Sequence, residues 1–239
     1  IQKSVNIYFW EIALKIWRLY ENQNKESILQ EYAKDLGFGN YTGVDLPYER
    51  KGIVPDRELF DEWKISEPDL VREEGWLGGD LMNLIVGQGA ITTTPIQVAN
   101  AYANLIRGYT LKPKININLN PEKLPEKILN IDSDFTRMLL KDLGLVTNIG
   151  GTAYKSFMVM GDYALDTGGK TGTAQTIAGK NSTSWFVGVD SVNSPEYIVT
   201  VVVEEGGSGS AVAAPIARRI VQYLKGLEIT PVEFGEVTE

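Results

Sequence analysis

The chain has 239 residues, 43% of them hydrophobic, enough for a substantial core in one large domain or two small ones. Its 23 basic and 31 acidic side chains give a net charge of −8, which argues against non-specific binding to a nucleic-acid backbone and leaves no nucleic-acid partner expected. With no His and no Cys it cannot assemble a Ser-His-Asp triad, a Cys nucleophile or a His/Cys zinc site, so any chemistry falls to Lys, Ser, Thr, Tyr, Asp or Glu.

The first residues, Ile1-Gln2-Lys3-Ser4, carry neither an initiator Met nor a signal-peptide pattern, and the chain is expected to begin partway through a longer protein. From Val5 to Tyr20, Phe9, Ile12, Ala13, Ile16, Trp17 and Tyr20 recur at helical spacing and predict an amphipathic helix. A second helix is predicted over Lys25 to Leu36, closed by Gly37. Residues Tyr41 to Asp80 are rich in Gly and Pro without a sustained period, and read as an irregular connection anchored by Trp63 and Trp76. Thr94-Pro95 opens the next helix with Thr94 as N-cap, and Ile96, Ala99, Ala103 and Ile106 continue its buried face up to Gly108. Asp132 or Ser133 starts another. The last third changes period: Ala164 to Ala174, Ser184 to Asp190 and Tyr197 to Glu204 predict three antiparallel strands. Ala211 to Leu224 is a closing helix with Val212, Ile216, Ile220 and Leu224 on its apolar face, and Glu228 to Glu239 an acidic surface tail. Helices first and sequential strands later give an α+β fold, an antiparallel sheet flanked by helices. No stretch of about 18 apolar residues is present to span a bilayer.

The strongest local signal is Thr167-Gly168-Gly169-Lys170-Thr171-Gly172-Thr173. A phosphate-binding P-loop would need Gly where Ala164 stands and a helix directly after Lys170-Thr171, whereas the chain runs on toward a strand. The alternative is a K-T-G triplet on an edge strand, where flanking glycines let a ligand backbone lie close and the Lys170 ammonium with the Thr171 and Thr173 hydroxyls faces a carboxylate. A solvated Lys in a Gly-rich turn is the plain competing reading. The second signal, S-x-N, occurs at Ser4-Val5-Asn6 and at Ser191-Val192-Asn193. The later copy sits between two strands and is followed by Ser194-Pro195, so it reads as a turn with no chemistry. The earlier copy stands at the mouth of a helix, where Ser or Asn could serve simply as N-cap. The Gly206 to Ser210 run reads as a flexible loop near the site, and Trp10, Trp17, Tyr20, Trp63 and Trp76 as core or loop anchors rather than sugar platforms.

S-x-N followed by K-T-G, in this order and with these flanks, resembles the transpeptidase domain of class B penicillin-binding proteins, whose site is built from S-x-x-K, an S-x-N type triplet and K-T-G. Thr42-Gly43-Val44-Asp45-Leu46-Pro47, Lys51-Gly52-Ile53-Val54-Pro55, Gly87-Gln88-Gly89 and Thr94 to Ala101 are similar to the family's middle segment, and most similar to its elongation (rod-shape) group. Gly151-Thr152-Ala153, Gly169 to Gln175 and Trp185-Phe186-Val187-Gly188 are similar to its catalytic strand region.

The resemblance implies the penicillin-binding protein and serine β-lactamase-like fold, incomplete at the N-terminus, with residues 1–227 the C-terminal portion of a transpeptidase domain and 228–239 the tail. It implies an acyltransferase of cell-wall synthesis and cell shape: a serine attacks the penultimate D-Ala of a peptidoglycan stem peptide, releases the terminal D-Ala and passes the acyl group to a neighbouring amine. A lysine of lowered pKa can serve as base, which suits a chain without His. The roles implied are a proton relay for Ser4, a hold on the nucleophile's Lys and the substrate amide for Asn6, positive potential from Lys170, and carboxylate binding by Thr171, Gly172 and Thr173. The Thr173 N–H would supply half of an oxyanion hole. No cofactor and no metal are implied. Implied partners are D-Ala-D-Ala stem peptides, β-lactams, a SEDS-type glycan polymerase and the elongation machinery, at the extracytoplasmic face of a bacterial inner membrane.

One departure is plain: no Ser of the chain has Lys three positions later, so the family's nucleophile is absent. Ser27 meets Gln30 at that spacing, Ser66 meets Asp69 and Ser156 meets Val159. The motif is expected upstream, with this chain alone inactive and with the family's first two sheet strands in the same missing part. A non-catalytic stem-peptide or β-lactam binding module is the alternative that the missing nucleophile motivates. A serine β-lactamase fits less well, because those enzymes lack the long Gly43 to Asp80 segment.

Overall fold

The three strands expected late in the chain form one antiparallel sheet in the order β3 (Gly168–Ala174), β4 (Thr183–Val189), β5 (Ile198–Val203). The computed structural model describes residues 1–20, 27–116, 118, 127–175 and 179–232. Within them the helices are α1 (Asn6–Tyr20), α2 (Ile28–Leu36), α3 (Arg57–Ser66), α4 (Gly78–Ile85), α5 (Pro95–Arg107), α6 (Ser133–Thr147), α7 (Tyr154–Phe157), α8 (Tyr163–Asp166) and α9 (Ala213–Leu224). Two further short strands, β1 (Tyr109–Thr110) and β2 (Lys127–Ile128), pair with each other. Together these give the expected α+β class. The chain divides into two units, residues 1–4, 102–109 and 128–239 in one, and 5–101 with 110–127 in the other.

In the first unit β4 is the central strand. Gly168 lies opposite Val189 and Thr173 opposite Ser184 in the β3–β4 ladder, and Phe186 lies opposite Val201 in the β4–β5 ladder. Helix α6 packs along β3, and α9 crosses β4 and β5. Phe186 anchors the core between them, stacked on Phe157 at 5.5 Å and surrounded by Val146, Val201, Ala213 and Ala217. Asp132 caps α6, accepting from Asp134 N at 2.8 Å, which settles the helix start between the two candidates. The first predicted strand begins later than its apolar content suggested: Tyr163–Asp166 is a helical turn, and pairing starts only at Gly168.

The buried face of α9 also differs from the expected stripe. Ala213, Ala214, Ala217, Arg218, Val221 and Gln222 are buried; of the expected stripe Ile216 and Leu224 pack against the same core, while Ile220 is exposed. Small residues let the helix sit close on the sheet. Both buried polar side chains bond to the segment beyond it: Arg218 donates to Thr230 O and Pro231 O through its two terminal nitrogens, with its Nε left unpaired among the described residues, and Gln222 donates to Glu228 O. Residues 228–232 of the expected tail are therefore described, while 233–239 lie outside the described residues.

In the second unit α1 packs on α4, and Phe60, Trp76, Leu81, Leu84 and Ala13 form the core, with Phe60 meeting Trp76 edge-on at 5.0 Å. The segment 41–80, expected to be irregular, contains α3 and the start of α4. Charges at Glu58, Asp61, Glu62 and Lys64 interrupt the apolar stripe of α3, but Asp56 caps it by accepting from Leu59 N at 2.9 Å. Gly78-Gly79 hides the start of α4, where Asp80 accepts from Leu77 N at 2.8 Å and pairs with Arg72. Trp63 and Trp76 do anchor the segment. The α2 helix ends as expected on Gly37, at φ +109°.

The most buried residues of α5 include polar ones where apolar residues were expected: Gln97 and Asn104 are buried with Ala101, while Ile96, Ala99, Ala103 and Ile106 are half-buried. Gln97 donates to Asn40 O at 2.8 Å and Lys51 O at 2.7 Å, clasping the 40–52 loops onto the helix. Thr94 serves as N-cap, its Oγ1 accepting from Gln97 N at 3.3 Å. Among the described residues no helix is long and apolar enough to cross a membrane.

Candidate active site

The K-T-G triplet lies mid-strand in β3, with Lys170 opposite Val187, Thr171 opposite Phe186 and Gly172 opposite Trp185. The glycine just before it, Gly169, is a steric necessity. A Cβ on Gly169 would lie 2.4 Å from Phe186 Cζ and 2.7 Å from Val187 O, so only glycine admits the core phenylalanine beneath the strand. The pleat turns Lys170 and Gly172 to one face of the sheet and Gly169, Thr171 and Thr173 to the other.

On the first face the Lys170 ammonium donates to Ser4 Oγ at 2.5 Å and to Thr171 O at 2.8 Å. The two residues are 166 positions apart in sequence, so the fold brings together one residue from each of the two predicted motifs. Neither partner is anionic, and burial lowers the Lys170 pKa below the ordinary lysine value. Ser4 itself stands at φ +52°, a left-handed conformation costing a non-glycine residue about 1–2 kcal/mol. A turn holds it there, Ser4 N donating to Ile1 O at 3.1 Å. A lysine partly stripped of water, in contact with a serine hydroxyl in a constrained backbone, suits proton relay or the attraction of an anion.

On the second face both threonine hydroxyls are engaged. Thr171 Oγ1 lies 2.8 Å from Thr152 Oγ1, and Thr173 Oγ1 accepts from Gly209 N at 3.1 Å. Gly209 belongs to the 206–210 run expected to be a flexible loop. The structure instead pins that loop: buried Ser184 donates to Ser208 O and accepts from Ala213 N, each at 3.0 Å, and Ser156 donates to Ser210 O at 3.1 Å. Neither Thr152 nor Ser184 carried an expected role. Thr152 was visible only as part of the Gly151-Thr152-Ala153 stretch.

Asn6, the first residue of α1, belongs to the other unit from Ser4, Lys170, Thr171, Gly172 and Thr173. The later S-x-N is used up structurally. Val192 N donates to Asp166 O at 2.6 Å, Asn193 Nδ2 donates to Asp166 Oδ1 at 2.6 Å, and Ser194 N donates to Ser191 Oγ at 2.9 Å, closing the turn between β4 and β5. Among the described residues no cluster of three or more His, Cys, Asp or Glu could hold a metal ion.

The sequence profile of the family described as the penicillin binding protein transpeptidase domain matches residues 1–222. The peptidoglycan D,D-transpeptidase MrdA of Haemophilus influenzae is 28% identical over 98% of this chain and 37% of its own length. The chain thus spans under two-fifths of that curated relative. Among solved structures, the penicillin-binding protein PBP2 of Helicobacter pylori in complex with MreC superimposes with a TM-score of 0.70 at 30% identity, covering 95% of this chain and 39% of that one. Pseudomonas aeruginosa PBP2 in complex with WCK 5153 gives 0.69 at 26%, covering 97% and 50%.

Proposed function

Because the chain belongs to the penicillin-binding protein transpeptidase domain family, and with its MrdA and PBP2 relatives to the class B, elongation group, we propose that it works in a peptidoglycan D,D-transpeptidase. In this reading residues 1–227 are the C-terminal portion of the transpeptidase domain, and 228–239 a tail. The acylating serine comes from an S-x-x-K segment that the 239 residues do not contain. The observation that carries the proposal is the contact of Lys170 with Ser4, which joins the lysine of K-T-G to the serine of S-x-N.

The chemistry follows in order. The serine attacks the carbonyl of the penultimate D-Ala, the peptide C–N bond breaks, and the terminal D-Ala leaves as the amine; a second stem peptide's amine then attacks the ester and frees the serine. Each amine must gain or lose a proton. Ser4, accepting from Lys170, keeps its own hydroxyl proton for that relay, and Asn6 holds the nucleophile's lysine and the substrate amide. Lys170 supplies the positive potential for the substrate carboxylate at the outer edge of β3, an end strand of its sheet. Thr171 and Thr173 reach that carboxylate from the other face, alongside Gly172, and the Thr173 N–H faces the developing oxyanion. β-Lactams acylate the same serine. The protein acts at the bacterial cell envelope, on the extracytoplasmic face of the inner membrane. Its partners are stem peptides, a SEDS-type polymerase and the elongation machinery, the last supported by the H. pylori relative solved with MreC.

The test is release of D-alanine and formation of cross-linked product from a pentapeptide stem substrate by the full-length protein. Both are expected, and Ser4→Ala slows both. Reversible stem-peptide binding with no D-alanine released would overturn the proposal in favour of a binding module.

A further inference from the structure

The Gly151-Thr152-Ala153 turn is anchored as firmly as the strand it faces. Gly151 N donates to Asn148 O at 2.8 Å and Ala153 N to Val146 O at 2.9 Å. A Cβ on Gly151 would fall 2.1 Å from Val146 O and 2.3 Å from Leu145 O, so the turn lies directly on the last turn of α6. That helix is tied in its turn to the head of β3, because the fully buried Thr147 hydroxyl donates to Thr167 O at 2.7 Å. Both links fix the Thr152 backbone relative to the K-T-G triplet three residues beyond Thr167. From this mount Thr152 reaches Thr171, hydroxyl to hydroxyl, at 2.8 Å.

Two hydroxyls joined by one hydrogen bond spend one proton on each other and keep the second for a third group. If Thr152 is the donor, Thr171 accepts, its rotamer is fixed and its own O–H becomes a directed donor, strengthened by the bond it accepts. Thr171 is 9% exposed, so little water competes for that role. We propose that Thr152 is a positioning residue for carboxylate recognition: its hydroxyl donates to Thr171 Oγ1 and aims the Thr171 proton at the carboxylate of the donor stem peptide or β-lactam. This rests on the transpeptidase reading and adds to it a residue that selects for the charged form of the ligand.

The test compares acylation rates of the full-length protein by benzylpenicillin and by its methyl ester, which keeps the reactive ring but lacks the anion. Thr152→Val keeps the side-chain shape and removes the hydroxyl. It is expected to slow the free acid about tenfold to a hundredfold, the loss of one charge-assisted hydrogen bond, while changing the ester rate less than about twofold; Thr152→Ser restores the free-acid rate. Equal slowing of acid and ester would mean that Thr152 only supports the fold, and overturns the proposal, as does a Val variant indistinguishable from wild type. Acylation of the wild type by neither compound would overturn the transpeptidase reading itself, and this inference with it. Thermal melting of the Val variant separates unfolding from a true loss of preference.

Discussion

The two S-x-N triplets have the same polar residues and opposite fates. Ser191-Val192-Asn193 closes a turn, its groups taken up by the Asp166 carboxylate, the Asp166 carbonyl and Ser194 N. Ser4-Val5-Asn6 opens a helix, and its serine accepts from the ammonium of Lys170. What differs is the surroundings: the Asp166 carboxylate in one case, a partly dehydrated lysine bonded to a hydroxyl and a carbonyl in the other. A triplet becomes chemical when the groups around it leave it something to do.

The comparison is most directly broken by exchanging the serines. Ser4→Ala is expected to lower the acylation rate of the full-length protein by penicillin about a hundredfold or more, the usual cost of removing a proton-transfer group, whereas Ser191→Ala leaves it unchanged. Equal effects would erase the distinction.

Next in size is Asp190, which frames the structural turn. Its buried carboxylate pairs with Lys225 at 2.7 Å and accepts from Glu196 N at 2.9 Å and Tyr197 N at 2.8 Å. Burial pushes the Asp190 carboxyl up, but Lys225 and the two backbone donors outweigh it and hold the value below the ordinary one; the same bond raises Lys225. Asp190→Asn is expected to cost about 3 kcal/mol in denaturant unfolding. The lowered carboxyl contributes stability present above the unfolded value of about 4 and lost as pH falls through the folded one. The raised ammonium contributes stability present below about 10.4 and lost as pH rises through its folded value. The difference between wild type and Asp190→Asn should therefore be flat from roughly pH 5 to 9 and shrink at both ends; a constant difference down to pH 2 would contradict this pairing.

Smallest is Asn193→Ala, which removes one hydrogen bond to Asp166 and should cost about 1 kcal/mol of stability without altering the acylation rate. A fall in acylation would give the later triplet a functional share.

Much of this arrangement is legible in the sequence. Thr94-Pro95, Asp132 and Gly37 mark helix ends by capping chemistry that acts within a few residues, and the helix beginning after Val5 follows from its apolar spacing. The K-T-G strand and the turn after β4 are readable for the same reason. What escapes is whatever is decided across the fold. The α3 helix hides behind its charges, α9 buries alanines and Arg218 more deeply than Ile216 and leaves Ile220 exposed, and α5 buries Gln97 because distant loops need its amide. The candidate site divides likewise: the triplets mark Lys170 and Ser4 as candidates, and the structure puts the two in contact, but Thr152 stands 19 residues from Thr171, and no local pattern foretells their contact.

The most direct measurement is the intact mass of the full-length protein before and after incubation with benzylpenicillin, wild type beside Lys170→Ala. One covalent adduct on the wild type, formed at least about a hundredfold more slowly on the variant, is the predicted result. No adduct on the wild type, or equal rates on both, would contradict the account of Lys170 and Ser4 as the two sides of one acylation site.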